Sequence, residues 1–389
     1  MNGAAMNGAA MNGATMSGAA VSAGALPATR EWLALAHLPG VGAARLAELL
    51  AARPPWPDGW LAGLPREAAL ALRLWLDHPS RSPLDAAIAA DLAWRDAAPA
   101  RHLLHPGHPA WPALLDEIAD PPPLLWALGD LAALAPPALA IVGSRRPTRE
   151  GLANAAAFAR ELVARDWGVV SGLALGIDGA AQQAVLEAGG RTVAVLGCGV
   201  DVIYPPRHAA LYHRLLAGGG LLLAEHPPGT RARAGFFPRR NRIVTGLSLG
   251  VLVVEAAEKS GSLVSARLAT EQNREVFALP GSIHNPQARG CLQLLRQGAV
   301  LVRGIDDILE ELTQWAGPPL APAPAEGLDT PCDPLLRWLS DTPAPLDALV
   351  SLTGLAVPEC QRRLLELELD GRVAQSPGGW VRLPDPAPS

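Results

Sequence analysis

The chain has 389 residues, 49% of them hydrophobic and 18% charged, with a formal net charge of −5. That balance fits two or three folded domains and argues against both wholesale disorder and a uniformly basic nucleic-acid binder. The four cysteines, Cys198, Cys291, Cys332 and Cys360, are far apart without a CxxC pair, so neither a disulfide framework nor a zinc knuckle is expected; no apolar run has membrane-spanning length and no secretory pattern opens the chain, so the cytoplasm is the expected location.

Residues 1–30 begin with repeats of the type MNGAA that hold all 4 methionines, a low-complexity stretch that cannot build a core and is expected to be disordered. Residues 31–98 read as short Ala/Leu-rich helices broken by Pro and Gly. Within them HLPGVGAARLAELL has the order helix, glycine turn, helix; Gly40 and Gly42 would let a phosphate approach, but acids outnumber bases here and a structural connector is favoured. HLLHPGHPAWP places His102, His105 and His108 close together. Pro106 and Pro109 break any helix that would align them, so no metal site is expected.

From Leu139 the texture changes to apolar β runs alternating with amphipathic helices. ALAIVGS, GVVSGL, TVAVLG, GLLLAE, GVLVVEA, EVFALP and AVLVRG are the strand candidates. Runs apolar on both faces and joined by helices predict an α/β, Rossmann-like, mainly parallel sheet covered on both sides, over residues 99–314. Residues 315–330 are a Pro/Ala linker. Residues 331–389 read as three helices and a Gly-Gly hairpin, a C-terminal winged-helix unit. Its third helix, bearing Glu359, Arg362, Arg363, Glu366, Glu368 and Asp370, suits a protein contact better than a DNA groove.

Charge is unevenly placed. Residues 139–315 carry 19 basic and 15 acidic side chains, whereas both flanks are acidic, and Arg231, Arg233, Arg239, Arg240 and Arg242 fall together without an intervening acid. That is a local footprint for a polyanion.

In parallel sheets ligands gather at the carboxyl ends of strands, and four such ends carry suitable residues. After the first strand, Gly143, Ser144 and Arg145 form a turn with Thr148 able to cap the next helix. After the second, Ser171, Gly172 and Gly176 shape a loop with Asp178 as the expected helix cap. Then Phe237, Arg239, Arg240, Asn241 and Arg242 open a helix, where arginines oppose the macrodipole and call for an external anion. Lys259, Gly261 and Ser262 form a further phosphate nest. Phe236 and Phe237 either stack a base or pack under the loop. No nucleophile with an activator stands in this region, so no catalytic residue and no cofactor is expected, and the groove reads as a binding surface. The rival is a nucleotide-processing enzyme of phosphoribohydrolase type, with Glu271 as its candidate carboxylate.

Taken together, AIVGSRRPT, SGLALGIDGAA, GGRTVAVLGCGVDVIYPPRH, FPRRNRIVTGLS, EKSGSLVSARLATEQNREVFALPG and QGAVLV resemble, in order and spacing, the DNA-processing protein A (DprA/Smf) family from about His105 to Leu312. The resemblance implies a Rossmann-like core that binds single-stranded DNA, forms a homodimer and loads the RecA recombinase during natural transformation. It also implies a sterile-alpha-motif-like N-terminal domain and a winged helix at the C terminus. DNA contacts carry over to Gly143–Arg145, Ser171–Asp178, Phe237–Arg242 and Gly261–Leu263. None is carried to Leu175, to Gln182, or to the altered loop SIHNPQARG.

Overall fold

Five helices open the part of the chain that the computed structural model describes, residues 26–312, 333–340 and 343–383. They are α1 (Thr29–Ala36), α2 (Ala43–Ala52), α3 (Asp58–Gly63), α4 (Arg66–Asp77) and α5 (Pro83–Asp96). Their breaks fall at the proline and glycine positions of the sequence. The α1–α2 turn needs Gly40 at a φ of +67°, and α5 starts with Pro83 behind Ser82, whose hydroxyl accepts the Leu84 N–H at 3.3 Å. Residues 1–25 of the stretch expected to be disordered, and the linker, lie outside the described residues; residues 26–30 depart from that expectation, because α1 already starts at Thr29, where Glu31 accepts the Ala28 N–H at 2.7 Å.

A nine-stranded sheet follows, in the order β1-β2-β6-β5-β4-β3-β7-β8-β9. Strands β1 (Arg101–Leu104) and β2 (Leu125–Gly129) come first. They are followed by β3 (Ala138–Val142), α6 (Arg149–Val163), β4 (Gly168–Ser171), α7 (Ile177–Glu187), β5 (Thr192–Leu196), α8 (Ala209–Ala217) and β6 (Leu221–Ala224). The second half is α9 (Phe236–Gly246), β7 (Gly250–Val253), α10 (Ser262–Glu271), β8 (Glu275–Ala278), α11 (Arg289–Arg296), β9 (Val300–Leu301) and α12 (Ile305–Glu311). Strands β3 to β9 are parallel, as the seven apolar runs predict. The antiparallel pair β1–β2, joined to β6, was not anticipated. Its short strands have no crossover helix between them, which removes the alternation that marks the rest.

Alternate residues of each strand serve opposite faces. Val142, Val170, Val195 and Leu223 pack with Ile243 and Val244 of α9 and Ala266 of α10. Leu139, Ile141 and Val169 pack instead with Phe158 of α6, Ile177 of α7 and Ile308 of α12. Growth of the sheet proceeds one way from β3 to β6 and the other way from β7 to β9. The carboxyl ends of β3 and β7 are therefore a topological switch point, where the following helices leave to opposite faces and open a crevice.

The helical N-terminal unit is fused to this sheet. Trp32, Leu33 and Ile88 share one core with Leu103, Trp126, Leu196 and Leu222, so the apolar interior runs across residue 98 without a gap. Trp32 donates its indole N–H to Pro123 O at 2.5 Å, and Trp126 donates to Asp91 at 3.2 Å. Of the three histidines, His105 is the junction piece. It stacks on Trp32 with centroids 5.9 Å apart and contacts Thr29 Oγ1 at 3.0 Å through Nε2. Among the described residues no three His, Cys, Asp or Glu side chains gather as a metal site, and no helix is long and apolar enough to cross a membrane.

A last unit packs on its own core of Leu335, Leu349, Cys360, Leu364 and Val373. It comprises α13 (Leu346–Thr353), α14 (Val357–Leu369) and the hairpin β10 (Val373–Ser376) and β11 (Gly379–Arg382). The first expected helix is a single 3₁₀ turn, Pro334–Arg337.

Burial holds the His105 imidazole below its ordinary value of 6.5. A histidine depressed in the folded state contributes stability in full above 6.5 and loses it as pH falls towards the lower folded value. The urea midpoint is therefore expected to drop between pH 7.5 and pH 5.5, and less so in His105→Gln. A His105→Gln protein with the full wild-type pH dependence would contradict this account of the junction.

Candidate nucleic-acid interface

Ser144, just past β3, ties the loops at the switch point together. Its N–H donates to Glu255 O at the end of β7 at 2.7 Å, and its carbonyl accepts the Ile177 N–H of α7 at 3.2 Å. Its hydroxyl donates to Gln287 Oε1 at 2.8 Å and accepts the Arg146 N–H at 3.0 Å. Thr148 caps α6 through Gly151 N–H at 3.0 Å, as expected, and its own N–H and hydroxyl are held by the Glu255 carboxylate. Gly176, at a φ of +84°, passes so close to the Ser144 carbonyl that a Cβ would collide with it. Only glycine meets both demands.

The loop after β4 is fastened from below. Ser171 is fully buried and donates to Ile141 O at 2.6 Å, so its hydroxyl stabilises strand β3 and does not face the crevice. Leu173 adopts a left-handed φ of +53°. Its N–H is held by Gln182 Oε1 at 3.0 Å and its carbonyl by His208 Nδ1 at 3.0 Å. Asp178 is not the helix cap expected from the sequence. Gly176 holds that position, and Asp178, one residue inside α7, reaches back to accept the Gly172 N–H at 3.2 Å. Burial pushes its carboxyl above the ordinary range, opposed by the nearby charge of Arg240.

The arginines of α9 divide by role. Arg240 is buried, with Nη1 donating to the carbonyls of Gly172 and Val195 and Nε to Asn241 Oδ1 at 3.0 Å. Its guanidinium lies over Gly172, where a side chain would displace it. Arg242 is buried too, bonded to Glu225 at 2.5 Å and Asp120 at 2.8 Å. The sequence reading gave both an external anion as compensation. The fold supplies internal acids and carbonyls instead, so they build the rim from beneath. Arg239 is exposed and leans towards Glu225 at 3.4 Å.

Above this floor is a cavity of about 730 Å³ lined by Gly143, Arg145, Gly172, Phe237, Lys259 and Ser262, among others. Arg145, Arg146, Arg233 and Lys259 are exposed around it, and among the described residues no ion pair involves any of them. Arg145 lies over the Phe237 ring at 5.6 Å, and Phe237 contacts Tyr204 at 5.2 Å. Behind them Phe236 stacks on His226 at 3.8 Å with Arg233 above it at 5.7 Å. Helices α9 and α10 begin here, with Gly235 and Gly261 as N-caps, so the positive ends of both helix dipoles lie beside the crevice. Ser262 sits at that start, its hydroxyl 2.7 Å from that of Ser260.

The crevice thus offers unpaired cations, helix N termini and half-exposed rings, the set that holds phosphates and stacks bases. Burial pushes the Cys198 thiol up to about 11 and the Cys291 thiol up to about 12. The sequence reading missed Tyr204, Gln287 and Arg146 as lining residues. Arg146 adjoins Arg145 and was within reach of the charge argument, whereas Tyr204 and Gln287 arrive from distant loops.

Arg240→Ala leaves the buried Asp178 carboxylate without its compensating charge and removes the guanidinium donor from two carbonyls, and is expected to cost about 3–5 kcal/mol in urea unfolding. Arg145→Ala removes an exposed side chain and should stay within about 0.5 kcal/mol of wild type. An Arg240→Ala protein as stable as wild type would show that the clamp does not bear on the fold.

Comparison with known proteins bears on the family and the fold. A family model described as DNA recombination-mediator protein A matches residues 102–313, and a DprA winged helix domain model matches residues 319–379. Protein Smf of Escherichia coli (strain K12) is 44% identical over 318 residues, 79% of this chain and 83% of that protein. The DNA processing protein DprA of Bacillus subtilis (strain 168) is 44% identical over 52% of this chain and 69% of its own. Among solved structures, DNA processing protein A from Streptococcus pneumoniae superposes with a TM-score of 0.61 at 32% identity, covering 74% of this chain and 99% of that one. That from Helicobacter pylori, a structure described for its single-stranded DNA binding mode, does so with a TM-score of 0.50 at 33% identity, covering 56% and 97%.

Proposed function

The chain belongs to the DprA/Smf family of DNA recombination mediators, and from that premise we propose that its crevice at the ends of β3, β4 and β7 grips single-stranded DNA. In this reading the protein protects incoming DNA in the cytoplasm and loads a RecA recombinase on it during natural transformation. It acts as a homodimer through the Rossmann-like domain.

One observation supports the DNA reading above others: Arg145, Arg146, Arg233 and Lys259 surround a cavity that also exposes Phe237 and Tyr204. Cations without internal partners gain most from a phosphate, and a ring beside them offers a face to an unstacked base. Gly143, Ser144, Gly261 and Ser262 line the approach of the backbone, and Gly172 makes room for the Arg240 guanidinium. Ser171, Gly176, Asp178, Arg240 and Arg242 act by fixing the loops, with Arg239 and Asn241 at the edge.

The enzymatic alternative has less support. Glu271 ends α10, nine residues beyond Ser262 and so about 14 Å along the helix axis, and it pairs with Arg267 at 3.5 Å. Asp178 is the one carboxylate among the residues lining the cavity, and it is engaged with Gly172 and Arg240.

Binding of a labelled single strand, followed by anisotropy across salt, tests the proposal. Affinity should exceed that for the same duplex, with a log–log salt slope of about −0.7 per phosphate neutralised. Arg145→Ala with Lys259→Ala should weaken binding and flatten the slope by about 1.4 on that basis. An unchanged slope would move the site elsewhere, and base release from nucleoside monophosphates that depends on Glu271 would favour the enzyme.

A further inference from the structure

Two helices on separate units each show a pair of leucines to solvent. On α4, Leu70 is 62% exposed and Leu74 39%; on α14, Leu365 is 55% exposed and Leu369 81%. Each pair has i, i+4 spacing and forms an apolar stripe. The α4 stripe lies opposite the buried Ala68, Leu72 and Trp75, and the α14 stripe opposite the buried Cys360, Leu364 and Leu367. Neither helix needs these leucines for its own core.

Helix α14 precedes the hairpin, the place of a recognition helix in a winged unit, yet it is poorly made for DNA. Arg362 is held by Glu359 at 2.7 Å and Glu366 at 2.5 Å, and Arg363 by Glu359 at 2.8 Å. Its solvent face is apolar at the centre and charge-compensated at the sides, as a protein-docking face is.

We propose that the Leu365–Leu369 face of α14 docks, antiparallel, on the Leu70–Leu74 face of α4 in the same chain. Charge selects the direction. With Leu369 against Leu70 and Leu365 against Leu74, the exposed Arg66 meets Asp370 and the negative end of α14, while Asp77 lies beside Arg362, whose charge Glu359 and Glu366 already offset. The parallel alternative sets Asp77 against Asp370, like against like, and separates Arg66 from it. Among the described residues Arg66, Asp77 and Asp370 have no ion-pair partner within their own units.

Area decides between the same chain and a second copy. Four leucines and four charged residues bury on the order of several hundred Å², below the ~1,200 Å² of a stable interface between separate molecules. A tether raises the effective concentration to about the millimolar range, which suffices for a patch of this size. The 20 residues between Leu312 and Asp333 reach roughly 70 Å at most.

Disulfide trapping in the full chain carrying Cys332→Ser tests this. Leu70→Cys with Leu369→Cys should form an intrachain bond at least about tenfold faster than Leu70→Cys with Leu352→Cys, a control on the neighbouring exposed helix, given the effective concentration of a docked pair. Adding Arg66→Asp should slow trapping, and adding Asp370→Arg to that variant should restore it. Equal rates in the two pairs, failure of the charge swap to restore trapping, or covalent species containing two chains in place of one would each overturn the proposal.

Discussion

The buried guanidinium of Arg240 joins strand ends that would otherwise be separate. It takes carbonyls from Gly172 after β4 and Val195 in β5, and its charge offsets that of Asp178. A charge this deep is tolerable only with such partners, because an unpaired one costs several kcal/mol. Asp178 in turn holds Gly172, which lies flat beneath the guanidinium because it has no side chain. The crevice floor is therefore a closed set of contacts, and the loops above it are positioned before any ligand arrives.

On that floor, ligand-facing charge is separate from structural charge. Arg240 and Arg242 are neutralised inside; Arg145, Arg146, Arg233 and Lys259 are not. A chain that is acidic overall thereby presents a cationic crevice at the switch point, a distribution that favours polyanion capture there. Preorganised loops reduce the ordering cost of binding, while the flexible exposed cations can follow a polymer whose phosphates vary in position.

Much of this was legible in the sequence, and the reasons are specific. The strands from Ala138 to Leu301 announced themselves because both faces are covered, which forces unbroken apolar runs. The glycines at 143, 172 and 176 marked close approaches, and the resemblance to the DprA/Smf family placed them at one sheet edge. Strands β1 and β2 escaped notice because four or five residues beside prolines carry no period. The roles of Asp178, Ser171, Arg240 and Arg242 were illegible for another reason: whether a polar side chain turns to a ligand or to a carbonyl depends on a partner up to 122 positions away, as Arg242 and Asp120 show. Composition correctly located the charge but could not say which arginines were already partnered.

The central claim is that a nucleic-acid base lies against the rings at the crevice mouth while its phosphates meet Arg145 and Lys259. Photocrosslinking with single strands carrying 5-iodouracil, followed by peptide mapping, examines it most directly. The account predicts adducts at Phe237 or Tyr204 that disappear in Arg145→Ala with Lys259→Ala. Adducts confined to the winged-helix unit, at Trp338 or Trp380, would contradict it.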